Sequence, residues 1–587
     1  MPRYQANVKD MQFVLHEMLQ ISTADTPGYQ DLEPDFTKAI LDAVARVATE
    51  TLTPLNISGD RQGCCLDGGA VHTPDGFKPA FKALRAGGWT SLCCAREDGG
   101  EGLPFLMYTA VGEILSAANM ALNMYAGLTH GAYSAIARHG SPDQRRMWLP
   151  KLASCEWTGT MNLTEPQCGT DLGLIGTRAV PQADGSYRLS GQKIFISAGD
   201  HDLAENIVHL VLARTPDAPS GTKGLSLFIV PKFLPDAQGR PGTANGVYTR
   251  GIEEKMGIHA SPTCALDYDQ AQGWLMGPLH GGMAAMFTMM NEARLGVGLQ
   301  GYALAGAAYE NALEYARTRR QGRAPSGPFD PEADADPLIV HPDVRRMLME
   351  QKSFVEGARA LAFWGASLID RAEAGDAPSD ALASLLTPVI KGVLTDRGFD
   401  STVLAQQVFG GYGYIEDTGM AQFVRDARIT MIYEGANGVQ ALDLVGRKLG
   451  AQKGEGLRLL LAEIEAECAR ARDLAELVPL ADALTQGTAE MMQATAYLAQ
   501  TGKAHPDQAL AGSYDFMHLM GHVCLGLMWL RMAFAVQHST WTDQGFLQAK
   551  LHTAQYYLTR HMPACAMHRV RIETGGDNVM ALRADAF

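Results

Sequence analysis

The sequence has no Cys-x-x-Cys pair, no internal repeat, no long low-complexity tract and no excess of positive charge. Its ten cysteines are scattered, with two adjacent pairs, Cys64-Cys65 and Cys93-Cys94. That spacing excludes a zinc ribbon or a dense disulfide framework and reads as reduced, buried thiols of a cytoplasmic protein. Lys+Arg number 49 against 64 Asp+Glu, a net charge of −15, which disfavours nucleic acid and anionic membrane as partners. No long apolar run is uninterrupted. The most hydrophobic stretch, 517–536, contains His518, His522 and Arg531, and reads as a buried helix rather than a membrane insertion. Residues 1–10 lack the apolar core of a secretory signal. What is present is globular: 46% hydrophobic and 19% charged among 587 residues. At about 100–200 residues per domain, several domains are predicted.

The patterning predicts an α+β chain, mainly α. Residues 1–35 form an N-terminal extension and 36–157 a helical domain, in which Phe36, Ile40, Leu41, Val44 and Val47 recur at helical spacing. Residues 158–275 change character: Tyr187–Gly191, Lys193–Ser197, Ile207–Leu212 and Leu225–Val230 are short runs rich in β-branched and aromatic residues, separated by Gly, Pro and Asp. Helical periodicity returns over 276–450, interrupted by an exposed Pro/Asp-rich loop at 325–337. A further helical domain fills 451–587, opening with an amphipathic helix marked by Leu457, Leu460, Leu461, Ile464 and Cys468, with three or four helices after it.

Two segments carry chemical content. Met431-Ile432-Tyr433-Glu434-Gly435 sets a carboxylate among apolar neighbours, where desolvation favours the neutral form and makes the ionised form a stronger base. A capping or salt-bridged glutamate at a loop–helix junction would look the same. Thr164-Glu165-Pro166-Gln167-Cys168-Gly169-Thr170-Asp171 offers hydroxyls and backbone N–H groups to a polar ligand, or is a plain turn between helix and strand.

The order TEPQCGTD, KIFIS, EKMGIHAS, NEAR, RTRRQG, QVFGGYGY, RDARI, IYEG resembles the acyl-CoA dehydrogenase family along nearly all of residues 40–450. The resemblance implies that family's fold: a helical N-terminal domain, a central β-barrel-like domain and a C-terminal four-helix domain. It also implies non-covalent FAD and an acyl-CoA substrate. Glu434 matches the base that removes the α-proton while hydride leaves the β-carbon for the flavin. The backbone N–H of Glu434 and a flavin ribityl hydroxyl would hold the thioester oxygen, with Tyr433, Gly435 and Arg294 also matching substrate-side positions. Met161, Leu163 and Thr164 match the stretch lining the flavin ring. Thr170 matches a hydroxyl near the pyrophosphate end, and Phe195 and Ser197 match the aromatic ring and hydroxyl that flank the isoalloxazine. Arg319 matches an arginine that pairs with the FAD pyrophosphate of a neighbouring subunit, and Gln407, Gly410 and Gly411 match the segment approaching the adenosine half.

The sequence departs from the family at three places. Arg319-Arg-Gln-Gly-Arg lacks a phenylalanine. Ala436-Asn437-Gly438 stands where Thr-Ala-Gln is usual, so a hydroxyl and an amide expected near FAD are absent. Phe195 cannot donate as an indole would. Some subfamilies carry the base in a Glu-Arg pair on the helix before Arg294. Here that position is Ala293, and Glu292 is turned about 100° away.

The segment from Tyr433 to Leu449, the N-terminal extension and the extra domain resemble a long bacterial subgroup. That likeness implies a homodimer and a short substrate, 3-methylthiopropionyl-CoA (as in dimethylsulfoniopropionate breakdown) or butanoyl-CoA. A broad-range fatty acyl-CoA dehydrogenase is the alternative. The ending Ala584-Asp-Ala-Phe587 is not a peroxisomal address, which favours electron-transferring flavoprotein over oxygen as the acceptor. A DNA-binding flavoprotein is a further alternative, but residues 451–587 carry 11 Lys+Arg against 14 Asp+Glu, which disfavours phosphate contact. Gly296-Val-Gly298-Leu-Gln-Gly301 satisfies a dinucleotide pattern without a preceding strand and reads as close helix packing. His518 and His522 read as core histidines, and no metal site is predicted.

Overall fold

The computed structural model describes residues 2–587, which divide into two units: 44–296, and 2–43 together with 297–587. In the unit 44–296, the helix α1 (Phe105–His139) precedes a seven-stranded sheet of β1 (Trp157–Asn162), β2 (Arg178–Pro181), β3 (Tyr187–Ser197), β4 (Asn206–Arg214), β5 (Leu225–Pro231), β6 (Val247–Ile252) and β7 (Thr263–Met276). The 14-residue β7 pairs with β3 over most of its length, then passes to β5 at Trp274–Met276. Because β3–β2, β2–β4, β4–β5 and β5–β7 are also paired, five strands form a closed circuit, the barrel-like domain the sequence implied. Strands β4 and β5 are apolar at consecutive positions because both faces are covered. Leu210, Leu212 and Ile229 join one core cluster, while Val211, Ala213, Phe228 and Val230 join another.

Two local expectations are corrected. Residues 187–197 are one strand, not two: Gly191 stays in register opposite Tyr268 and leaves space for Thr177, which a Cβ would strike. The adjacent cysteines are not all buried, since Cys65 is exposed on a small hairpin (Cys65–Asp67 with Ala70–His72).

The second unit is helical. The helix α2 (Gly282–Thr318) runs into it and is followed by α3 (Pro342–Glu373), α4 (Ala377–Val408), α5 (Met420–Thr430) and α6 (Asn437–Asp443). The small residues of the dinucleotide-like pattern lie inside α2, where a Cβ on Gly298 or Gly301 would come within 2.8 Å of the carbonyl oxygens of Ile390 and Leu394 on α4. They are a helix-crossing surface. The extra domain supplies α7 (Glu455–Arg472), α8 (Val478–Gly502), α9 (Ser513–His538), α10 (Gln544–Arg560) and α11 (Ala564–Glu573). Its central helix α9 packs on α3 and α4: the Trp529 indole donates to Ser353 O at 3.0 Å, and Gly521 lies against Val393. Helices α1 and α9 are long and apolar enough to cross a membrane, but their apolar windows are 83% and 89% buried, which identifies them as core helices.

The N-terminal extension is tied to the extra domain by charge. Asp10 pairs with Arg359 of α3 and Lys550 of α10, and Lys550 also reaches Glu356 at 2.8 Å. Burial pushes the Asp10 carboxyl up, but the Lys550 and Arg359 cations outweigh it and hold it at about 2, against an ordinary 3.8. A depressed carboxylate stabilises the fold fully above its unfolded value and loses that contribution as the pH falls through its folded value, here between about pH 4 and 2. Asp10→Asn removes the charge and leaves two buried cations under-compensated. Denaturant unfolding near neutral pH should show a loss on the order of 3–5 kcal/mol, of which about 2 kcal/mol disappears as the pH falls below 3 and the wild-type carboxyl takes up its proton. A variant as stable as wild type at neutral pH would contradict this role.

Candidate active site

The carboxylate segment lies between two helices of the second unit. α5 ends at Thr430, Met431 to Ala436 form the link, and α6 begins at Asn437. Glu434 has φ +56° and Gly435 φ +89°, so two successive residues take the left-handed conformation. Glycine does so freely, whereas for glutamate it costs on the order of 1–2 kcal/mol, and such strain persists only where the surroundings over-determine it. They do here. Gln440 is fully buried, and its side-chain amide donates to the carbonyls of Glu434 (3.2 Å) and Gly435 (3.1 Å). The amide of Asn437 donates to Met431 O at 3.1 Å, closing the link into a loop. Tyr433 donates its hydroxyl to Gln300 of α2, and burial keeps its phenol far above the ordinary range. Glu434 itself is partly exposed.

Four other predicted positions are gathered in the same unit. Tyr315 near the end of α2 stacks on Phe409 just past α4, with ring centroids 4.2 Å apart. This contact brings Arg319 to Tyr412, 5.8 Å from guanidinium carbon to ring centroid, beside exposed Gln407, Gly410 and Gly411. A Cβ on either glycine would meet nothing within 4 Å, so the backbone there is open to close approach.

In the unit 44–296, the other predicted positions meet at the edge of the barrel. Along β1, Thr160 and Asn162 face inward to His209 and Tyr268, through bonds of 2.7 Å from Thr160 to His209 Nδ1 and 2.7 Å from Asn162 to the Tyr268 hydroxyl. The alternation of a strand then turns Met161 outward, and Leu163 and Thr164 follow it, partly exposed. Thr170 is exposed on the next turn. On β3, Ile196 pairs with Cys264 and Lys193 with Leu266, so Ile194 and Phe195 together oppose one residue of β7. This is a β-bulge. With Phe195 at φ +58°, it turns outward a ring that strict alternation would place on the buried face of Lys193. Phe195 is 58% exposed, beside partly exposed Ser197. Arg294, by contrast, is buried in α2, and Glu292 turns to His130 at 3.5 Å.

Sequence reasoning missed what joins these two segments. Lys193 is fully buried and donates to Leu163 O (2.8 Å) and Glu165 Oε1 (2.8 Å), while the Ile194 amide donates to Thr164 O (2.9 Å). Glu165 also accepts from the Thr177 hydroxyl (2.6 Å) and the Gly176 amide (2.7 Å). Burial pushes the Lys193 ammonium down to about 8 against the pull of Glu165. Burial would raise the Glu165 carboxyl, but Lys193 and its hydrogen-bond donors hold it below its ordinary value. The signal was a lysine opening an apolar strand.

In the unit 44–296, an outward aromatic ring with a neighbouring hydroxyl suits a flat ring system: Phe195, Ser197, Met161, Leu163 and Thr164 fit the ring of FAD, and Thr170 offers a hydroxyl to its phosphates. In the helical unit, an arginine beside two bare glycines suits phosphate, and Arg319, Gln407, Gly410 and Gly411 fit the phosphates and adenosine of an FAD.

Comparison with known proteins shows the family. The chain belongs to the acyl-CoA dehydrogenase family: it matches the acyl-CoA dehydrogenase N-terminal domain over residues 35–156, the middle domain over 160–271 and the C-terminal domain over 280–450. Residues 460–583 match the acetyl-CoA dehydrogenase C-terminal-like domain. It is an FAD-dependent oxidoreductase that dehydrogenates acyl-CoA thioesters. The chain is 41% identical to 3-methylmercaptopropionyl-CoA dehydrogenase of Ruegeria pomeroyi, covering 98% of this chain and 99% of the relative. It is 35% identical to the broad-specificity linear acyl-CoA dehydrogenase FadE5 of Mycobacterium tuberculosis, over the whole of both chains. The fold is that of Caenorhabditis elegans ACDH-11 in complex with C11-CoA, with TM-score 0.80 at 20% identity, covering 99% of this chain and 96% of that one.

Glu165→Gln tests the buried pair. It strands the Lys193 ammonium without a counter-charge and should lower stability on the order of 3–5 kcal/mol, with a fall in the flavin retained through purification. Unchanged melting and flavin content would show that the pair does not hold these segments.

Proposed function

We propose that the enzyme oxidises a short acyl-CoA, 3-methylthiopropionyl-CoA or butanoyl-CoA, to its trans-2-enoyl thioester, with Glu434 as the base. The observation that carries the base assignment is the partly exposed Glu434, fixed at a left-handed turn by Gln440 and Asn437. Glu434 removes the α-proton, and its own backbone N–H donates to the thioester oxygen, stabilising the negative charge that develops there. FAD, when bound, accepts the hydride from the β-carbon. Tyr433 and Gly435 fix the direction of the base, and Arg294 lies on the helix that serves the substrate side.

The short chain is supported by likeness to the Ruegeria pomeroyi protein along nearly the whole of both chains. Sulfur in place of a methylene adds little bulk and suits apolar walls, so 3-methylthiopropionyl-CoA is close in size to pentanoyl-CoA, one chain atom longer than butanoyl-CoA. That atom is worth about 0.8 kcal/mol, and the two short substrates should be used with efficiencies within about tenfold, or 1.4 kcal/mol. Electron-transferring flavoprotein takes the electrons onward, a reading supported by the dehydrogenase names of the relatives. A homodimer, in which Arg319 serves the partner's FAD, and a cytoplasmic location, in keeping with ten free cysteines, complete the proposal.

Two measurements test it. Glu434→Gln should keep FAD but lose bleaching of the flavin by acyl-CoA, and turnover within about tenfold of wild type would remove Glu434 from the role. A panel of acyl-CoAs with an artificial electron acceptor should show efficiency falling beyond short chains, because a closed cavity loses roughly 1–3 kcal/mol to overpacking. Efficiency rising out to palmitoyl-CoA would replace the short-chain reading with a broad fatty-acyl one, since an open cavity gains about 0.8 kcal/mol per methylene.

A further inference from the structure

Where the family usually carries Thr-Ala-Gln after the carboxylate segment, this chain has Ala436-Asn437-Gly438, and Asn437 is buried. Its carboxamide is fully engaged. Lys391 of α4, itself fully buried, donates to Asn437 Oδ1 at 2.7 Å. On the other side Asn437 Nδ2 faces Asp396 Oδ1 at 2.6 Å, the Thr395 hydroxyl at 2.9 Å and Gly392 O at 3.1 Å. A lysine can only donate and a carboxylate only accept, which fixes the orientation of the amide. The second oxygen of Asp396 leads outward: it accepts from the Tyr514 hydroxyl at 2.6 Å and lies 2.9 Å from His518 Nε2, both on α9 of the extra domain. Arg397 and Asp400 are the further charged neighbours of this cluster, and His568, held by Asp515, stacks on His518.

We propose that Asn437 is a positioning residue for the base, anchoring the Glu434 turn through Lys391 and Asp396 to Tyr514 and His518, so that the extra helical domain takes part in holding the catalytic carboxylate. The geometry explains the residue type. Aspartate at 437 would set two carboxylates 2.6 Å apart, glutamine is a methylene too long, and leucine would leave a buried ammonium and a buried carboxylate uncompensated. Only two residues separate Asn437 from Glu434, and the Met431–Asn437 backbone bond closes the loop that holds Glu434, so a shift of the anchor displaces the carboxylate. Base catalysis is sensitive to such displacements, since a misplacement of about 1 Å costs on the order of a hundredfold.

This inference rests on Glu434 being the base, and the experiment separates the two claims. Full-length holoenzyme variants are assayed with butanoyl-CoA alongside Glu434→Gln. Asn437→Asp should lower kcat at least about tenfold with KM little changed, and its activity relative to wild type should recover as the pH falls and the paired carboxylates take up a proton. The exchange Asn437→Asp with Asp396→Asn removes the repulsion between paired carboxylates: position 437 accepts from Lys391 and from the side-chain amide placed at 396, whose oxygen still accepts from Tyr514, while the Gly392 carbonyl loses its donor. It should raise kcat at least about threefold above Asn437→Asp, a rescue that a merely bulky or loosening change would not show. Tyr514→Phe, a half-exposed hydroxyl deletion that should fold normally, should lower kcat about two- to fivefold at unchanged FAD content.

An inactive Glu434→Gln beside an Asn437→Asp enzyme with wild-type kcat would overturn the anchor alone. So would a folded, flavin-loaded exchange variant no better than Asn437→Asp, or a Tyr514→Phe enzyme with unaltered kcat. An active Glu434→Gln would overturn the assigned base, and with it the anchor's purpose.

Discussion

A single carboxylate has to stand at the tip of a turn that an L-amino acid resists, and the helical unit is arranged around that demand. Glu434 and Gly435 both take positive φ, at +56° and +89°. A Cβ at Gly435 would come within 2.6 Å of the Gln440 amide, so the second position has to be glycine for space as well as conformation. The turn keeps its shape because the short helix after it starts from a buried asparagine and sends back a buried glutamine. The bundle provides the frame to which both are fixed.

The barrel answers a different demand with related means. An aromatic ring has to be turned out of a strand whose neighbours face in, and a β-bulge at Ile194–Phe195 does so, as the proposed flavin contact requires. The bulge lies directly after Lys193, whose pairing with Glu165 ties the strand to the turn that follows β1. Buried ion pairs contribute little net stability when formed and cost much when broken, so this one fixes geometry more than it strengthens the fold. The same holds at Asp10, where three buried charges join the first residues of the chain to the extra domain.

The fold was legible in the sequence because its signals are local. Helical spacing, apolar runs in the strands and the order of eight motifs required no knowledge of what packs on what, and the motif around Glu434 is contiguous. What was missed is distant in sequence: Glu165 lies 28 residues from Lys193, and Asp396 lies 41 from Asn437 and 122 from His518. His518 and His522 read as a core pair from their spacing, yet only the fold could place Asp396 against the first of them. The outward turn of Phe195 depends on register with β7, and period-two alternation gives the opposite face. Ala436-Asn437-Gly438 looked like the loss of cofactor contacts. In the structure the asparagine is an internal anchor.

The central claim is that an α-proton and a β-hydride leave one short acyl-CoA, the proton to a carboxylate fixed at residue 434. Single-turnover bleaching of the flavin by butanoyl-CoA deuterated at the α-carbon, at the β-carbon, or at both tests it most directly. The account requires each label to slow the bleaching, the double label to slow it further, and no bleaching at all in Glu434→Gln. Bleaching indifferent to α-deuteration, or undiminished without the carboxylate, would contradict it.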